Sequence, residues 1–431
     1  MVDTSPTRRR RAFALHTFDA FANRGYTLLW SATFCSNISR WMQMTLLGWM
    51  VLELTDSPLR VALVGFFGMA PNLMLGGFGG VLADRLDRRR LLMALQATNF
   101  VATLVMTVLL ATGSVQFWHA YWLIFVSGVG HALDYPSRRA LILDLLGRSR
   151  VANALALDVM AFSISRMAGP AMAGALIKAF DVVGGYVVVT IIYLLAVPLL
   201  WSLRAPSRAG SLGGVADMFR NLMEGFRYVR GNRTIMAVIL ITVLMNILLF
   251  SYVQMTPVIA RDVLGVGPGL MGILIATDGL GGLVGAIAIA SITIRFHGRV
   301  YMGGSALSML ALLLFAFSPM YALSLPTLFV LGLGSAGFGA MQATIILLVA
   351  RDDMRGRALG VTGLAIGAAP LGAVLVGAVA TIVSPTFAIG MNAVLGIAAI
   401  GLVALLMPSL RQEITAPETA PPLRGAARQP S

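Results

Sequence analysis

Three charged side chains interrupt long apolar stretches: Arg40, Arg166 and Asp278. Each costs at least about 2.5–3.5 kcal/mol at a bilayer centre on insertion scales, so such residues pair with one another or line a wet cavity. At 1.5 Å per helical residue, Arg166 lies roughly 22 Å from one end of its stretch and Asp278 roughly 12 Å from the opposite end of its own, which puts them at similar depth. Together they offer an ion pair, or a carboxylate that takes up and releases a proton. A second set, Gln43, His131, Asn246, Gln254 and Gln342 with Trp41 and Tyr252, scatters hydrogen-bonding groups over apolar segments. An apolar wall with a few polar groups suits an amphipathic organic ligand, although each residue taken alone also suits a hydrogen bond between helices. His131 adds a group that titrates near neutral pH when unperturbed. The densest charge is the run Gly80-Val81-Leu82-Ala83-Asp84-Arg85-Leu86-Asp87-Arg88-Arg89-Arg90, set between two apolar stretches. Basic loops between spans are ordinary; a Gly, an Asp and several Arg at fixed offsets are not.

The elements that hold these residues are helices in a membrane. Of 431 residues 58% are hydrophobic and 12% charged, with mean hydropathy +0.84; soluble chains carry about 25% charged residues. A span takes about 20 apolar residues, and twelve stretches qualify: Tyr26–Glu53, Leu59–Ala83, Leu91–Thr112, Phe117–Tyr135, Val151–Ile177, Val183–Leu203, Ile235–Val258, Leu270–Ile292, Val300–Ser318, Leu325–Leu348, Ala358–Val383 and Phe387–Met407. The fold class is therefore all-α and integral to the membrane, in two six-helix bundles. The segments are a cytoplasmic N-terminal tail (1–25), an N-terminal bundle (26–203), a linker (204–234), a C-terminal bundle (235–407) and a disordered cytoplasmic tail (408–431). In the linker Met218, Phe219, Leu222, Met223, Phe226 and Val229 recur at helical spacing between arginines, the pattern of an amphipathic helix on a membrane surface.

Placing both termini in the cytoplasm leaves only Arg60, Lys178 and Arg261 on the outside, as the positive-inside bias requires. The net charge of +14 is spread over short loops, so it reports topology and not a nucleic-acid partner. Cys35 is the single cysteine, which excludes an intrachain disulfide. The first 24 residues lack the apolar core and cleavage site of a signal peptide. The sequence holds no Gly-x4-Gly-Lys-Ser/Thr nucleotide cradle, no cluster of metal ligands and no nucleophile–base set. No cofactor, no metal and no enzymatic chemistry are expected, and the chain is expected to work as a monomer. The two halves carry a weak internal repeat: Arg295-Phe296-His297-Gly298-Arg299 occupies in the second half the place of the charged run in the first.

The charged run resembles the loop signature of the major facilitator superfamily, Gly-x-Leu-Ala-Asp-Arg-x-Gly-Arg-Arg-Arg/Lys, with Asp87 in place of the usual Gly. Within span 5, Ser165-Arg166-Met167-Ala168-Gly169-Pro170-Ala171-Met172-Ala173-Gly174 is similar to a degraded copy of the superfamily's antiporter signature, its small residues kept around Gly169, Pro170 and Gly174. The run Trp49 to Pro58, the stretch Gly128 to Asp144 and Arg355-Gly356-Arg357 resemble the bacterial exporter group that includes enterobactin exporters and macrolide efflux proteins.

The resemblance implies a secondary transporter of the bacterial inner membrane that exports a siderophore-like or drug-like molecule by proton antiport. An importer or uniporter of the same fold, or a transport-inactive sensor or scaffold, is the alternative. It implies that Asp84 faces the N-terminus of span 11, where a helix dipole favours negative charge by about 0.3–1 kcal/mol. Arg85 and Arg88 would then hold Asp84 or Asp134 in a gating loop with Gly80. It also implies that spans 5 and 8 meet between the halves, and that spans 1, 4, 7 and 10 line the central cavity. The arginine that many superfamily antiporters carry in span 4 is missing, which weakens any transfer of their proton route.

Overall fold

The computed structural model describes residues 16–75, 87–204 and 215–413, and among these every regular element is a helix. The first half comprises α1 (Arg24–Thr55), α2 (Pro58–Leu75) and α3 (Arg88–Ala111), then one long rod, Phe117–Trp201. That rod is broken at Gly147 (φ 65°) and again at Phe180–Asp181 (φ 62° at Asp181), giving α4 (117–146), α5 (148–179) and α6 (182–201). Glycine meets no Cβ clash in the left-handed region, which is why the first break falls on Gly147. After α7 (Val215–Gly231) the second half follows as α8 (Arg233–Val263), α9 (Pro268–Ser291), α10 (His297–Ala316), α11 (Tyr321–Val349), α12 (Arg355–Ile382) and α13 (Pro385–Leu406).

Sequence sets these ends in familiar ways. The side chains of Asn23, Asp87 and Asn232 accept a backbone N–H at the start of α1, α3 and α8, and Ser384 does so for α13; each satisfies a donor that the first turn leaves unpaired. Pro268 and Pro385 occupy first-turn positions, where their missing N–H is no loss. Among the described residues nine stretches are long and apolar enough to cross a membrane.

Most predicted spans agree with the helices to within a few residues, but three boundaries change. Span 4 does not stop at Tyr135: α4 runs through Pro136 and carries Arg138, Arg139 and Asp144 on helix rather than loop. Within the N-terminal segment, His16–Ala22 form a 3-10 helix, and the Ala20 N–H donates to Asn153 Oδ1 at 3.2 Å. Likewise, the C-terminal tail begins with a short 3-10 helix, Pro408–Arg411, whose Leu410 is fully buried. Arg299 Nε donates to the Arg411 carbonyl at 3.0 Å, and Arg295 pairs with Glu413 at 3.0 Å.

The halves meet along α5 and α9, α2 and α12, and α1 and α2 against α8. The amphipathic α7 belongs to the second half. Glu224 pairs with Arg357 at 3.0 Å, Arg357 Nε donates to Asn221 Oδ1 at 3.1 Å, and the Arg351 N–H donates to Tyr228 Oη at 3.1 Å. Its Val229 is buried while Met223 and Phe226 stay exposed.

Candidate functional site

Arg166 of α5 and Asp278 of α9 meet across the two halves, with Arg166 Nη2 at 2.5 Å from Asp278 Oδ2. Glycines make that approach possible. A Cβ at Gly279 would lie 3.0 Å from Met167 Cα, and one at Gly282 would lie 3.8 Å from Arg166 Nη1. On its other face α9 presses Gly281 and Gly285 against Phe329 and Leu333 of α11. The glycines of α9 thus serve close helix packing on both sides. Asp278 is 2% exposed and its second oxygen, Oδ1, has no hydrogen-bond partner. Tyr252 of α8 lies close enough to feel both charges. The arrangement can hold a salt bridge in one state and expose a proton-accepting carboxylate in another.

One end of the molecule is sealed above this pair. A Cβ at Gly272 of α9 would fall 3.0 Å from Gly174 Cα of α5, and one at Gly174 would run into the Pro268 carbonyl. The Leu59 N–H donates to Thr381 Oγ1 at 3.0 Å, joining α2 to α12. Asp56, the left-handed residue that ends α1, pairs with Arg261 at 2.8 Å, and Arg261 Nη1 also donates to the Leu52 carbonyl at 3.3 Å. The signature residues Gly169, Pro170 and Gly174 therefore lie at helix contacts. Gly169 packs on Ile38, Trp41 and Met42 of α1, while the Pro170 carbonyl and Gly174 face Gly272.

The other expected residues divide. Trp41 and Gln254 do face each other in a small cleft between the halves, with Gly48, Val253, Pro257 and Ile275 around it. Asn246 and Gln342 are not on that wall. Asn246 Nδ2 donates to the Thr242 carbonyl at 2.9 Å and Gln342 Nε2 to Thr242 Oγ1 at 2.8 Å, both inside the second half. Gln43 is fully buried. Arg40 and His131 line a polar pocket inside the first half, between α1, α3, α4 and α6.

Gly80, Asp84 and Arg85 lie outside the described residues, so the gating loop is known only from its flank. On that flank Arg88 bonds Asp144 at 2.6 Å, and Asp134 is held by Arg138, one turn along α4. Arg138 also reaches Asp158 of α5 at 3.5 Å. Sequence reading missed Arg138 and Asp144 as structural charges because it ended span 4 at Tyr135, and it missed Asp158 of span 5 because the partner of that carboxylate, Arg138, was read as loop. A charge every few residues on one face, with the apolar pattern continuing, was the available signal. The Asp56–Arg261 bridge had no such signal, since it joins residues about 200 positions apart, one capping the end of α1 and the other in the last turn of α8.

The Staphylococcus aureus staphyloferrin A transporter is 24% identical over 356 residues, covering 80% of this chain and 87% of the relative. The enterobactin exporter EntS of Shigella boydii is 26% identical over 342 residues, covering 76% and 78%. Among solved structures, a peptide transporter of the POT type superposes with a TM-score of 0.73 at 12% identity, covering 93% of this chain and 96% of that one. Such a likeness concerns the fold. These relatives are membrane transporters of small molecules and not enzymes. The sequence profile of the transmembrane secretion effectors matches residues 15–424, and the chain belongs to that family of major facilitator transporters.

Proposed function

We propose that the chain is a twelve-span secondary transporter of the bacterial inner membrane, with both termini in the cytoplasm. It exports a small amphipathic organic molecule by proton antiport, through alternating access of the two six-helix halves. The observation that carries this reading is the Arg166–Asp278 pair, which bridges the halves in the middle of their spans. A buried pair on an interface that must open is a natural place to couple protonation to movement, because opening leaves a buried charge without its partner. With the Asp56 end taken as external, the state described has its outer side sealed by α5–α9, α2–α12 and the Asp56–Arg261 bridge. The names of the siderophore exporter and transporter relatives favour export over import, and small residues where α5 crosses α9 suit repeated closure of one side.

The test is transport in proteoliposomes with an imposed pH gradient and a panel of siderophores and dyes. Gradient-driven accumulation on the side opposite proton flow supports the reading. Uptake in the same direction as protons would favour an importer, and no flux of any compound in either direction would favour a sensor or scaffold.

A further inference from the structure

The first half holds buried polar atoms that no protein group satisfies among the described residues: both ends of the Gln43 amide, Gln96 Oε1, Arg40 Nη1 and Tyr186 Oη. Gln43 and Tyr186 are fully buried and Gln96 is 4% exposed. An orphaned buried polar group costs about 1–3 kcal/mol, and native interiors resolve such groups with ordered water. Arg40 and Gln96 line one polar pocket, with Asn99, Ser127, His131 and Asp134 around them. Its free space is about 20 Å³, where one water takes about 10–15 Å³. That is room for one or two waters. Water in this pocket has a donor to accept from in Arg40 and an acceptor to donate to in Gln96.

The charges around this water are unevenly matched. Arg138 takes Asp134 on its own helix and reaches Asp158 of α5, whereas no carboxylate lies within ion-pair distance of Arg40 among the described residues. His131 is within electrostatic reach of both Arg40 and Arg138. From the other packed elements, α6 contributes the phenol of Tyr193, and α3 contributes only the neutral amides of Gln96 and Asn99.

We propose that this pocket is a proton site within the first half, in which water carries the proton to and from the His131 imidazole and Arg40 is the charge that displaces it. The water acts as a relay: it gives one proton to a free ring nitrogen as it takes one from solvent, and the reverse exchange releases it, so every O–H bond broken is replaced and the net change is one proton on the imidazole. In the state sealed at the Asp56 end, a protonated His131 would lie buried beside two guanidiniums, Arg40 and Arg138, with the one carboxylate of the pocket, Asp134, already engaged by Arg138, so this state empties the site. The site rests on the antiport reading, and it is separate from the Arg166–Asp278 pair.

The chain has four histidines, so ring signals of isotope-labelled protein in nanodiscs are assignable with His131→Gln. The measurement is a titration of the His131 ring from about pH 4 to about pH 9, across the range where imidazoles change charge. His131 should take up a proton in that range. Arg40→Gln should let it do so at a proton concentration about tenfold lower, as expected for loss of a nearby like charge, and Arg40→Lys should keep the wild-type midpoint. A ring that stays neutral throughout in wild type and Arg40→Lys, or a midpoint unmoved in a folded Arg40→Gln, would overturn the proposal. Dye efflux by proteoliposomes separates the two readings. Efflux indifferent to the gradient while His131 titrates removes antiport and leaves the site, whereas full coupling in His131→Gln removes the site and leaves antiport to Asp278.

Discussion

Asp278 gives one carboxylate oxygen to Arg166 at 2.5 Å and keeps the other buried without a partner. Tyr252 of α8 stands beside the pair, so its members depend on each other and on that neighbouring phenol. Breaking a buried pair by removing one partner costs about 3–5 kcal/mol, while removing both can be nearly neutral. Arg166→Gln and Asp278→Asn should each lower the thermal midpoint of the purified protein, and the double change should recover much of the loss. Transport should stay absent in the double variant. Single losses that simply add would mean the two residues act independently.

The α5–α9 crossing tolerates no added volume. A Cβ at Gly272 would sit 2.5 Å from the Pro170 carbonyl oxygen, so Gly272→Val should oppose closure of the Asp56 end. Overpacking of this kind costs about 1–3 kcal/mol, which displaces a two-state balance by about 5–150-fold. Labelling of a cysteine at Gly48, in a Cys35→Ala background, reads that displacement. Labelling from the Asp56 side should rise in Gly272→Val, and an unchanged rate would show that the crossing does not gate that side.

The Asp56–Arg261 bridge should behave differently. Asp56 has 78% of its side chain exposed, and exposed ion pairs are worth about 0–1 kcal/mol. Arg261→Ala should leave the thermal midpoint nearly unchanged and raise the Gly48 labelling rate slightly. High salt should bring the wild type to the same rate, because screening removes what the substitution removes. A large loss of stability in Arg261→Ala would point instead to its bond with the Leu52 carbonyl.

At the C-terminus, Leu410 is fully buried and lies against Gly298. Leu410→Ala should destabilise by about 2–5 kcal/mol, the usual cost of emptying a buried leucine site. Truncation after Glu413 should be neutral. Denaturation of the two variants side by side tests where the ordered part of the tail ends.

Much of this was legible before any coordinates. The apolar runs, capping residues and prolines mark most helix ends, and equal depth, together with the resemblance that sets spans 5 and 8 side by side, made Arg166 and Asp278 candidates for a pair. Asn246 and Gln342 were misplaced because a side chain's direction around a helix is not fixed by its presence in a span; both turn to Thr242 and satisfy one another's neighbourhood. The short helix Pro408–Arg411 was missed for a related reason. Leu410 is one apolar residue in a Pro- and Arg-rich segment, and only the groove beside Gly298 gives it somewhere to go. The π-helical turns Met245–Leu249 and Ile259–Val263 flanking Tyr252 also escape sequence reading, since an extra residue in a turn leaves little trace in hydropathy.

The two breaks in the Phe117–Trp201 rod have a mechanical consequence. Gly147 and the Phe180–Asp181 step reverse the chain with almost no loop, so α4, α5 and α6 are joined without slack. Elsewhere, as between α3 and α4, several residues of turn separate neighbours and can absorb a tilt. Any rotation of α5 that parts it from α9 must therefore drag α4 and α6 with it. The three helices form a single lever, with Arg166 of the interface pair on its middle arm and His131, Asp134 and Tyr193 on the two outer ones. Lengthening either break by a few glycines would decouple those arms while leaving every side chain in place.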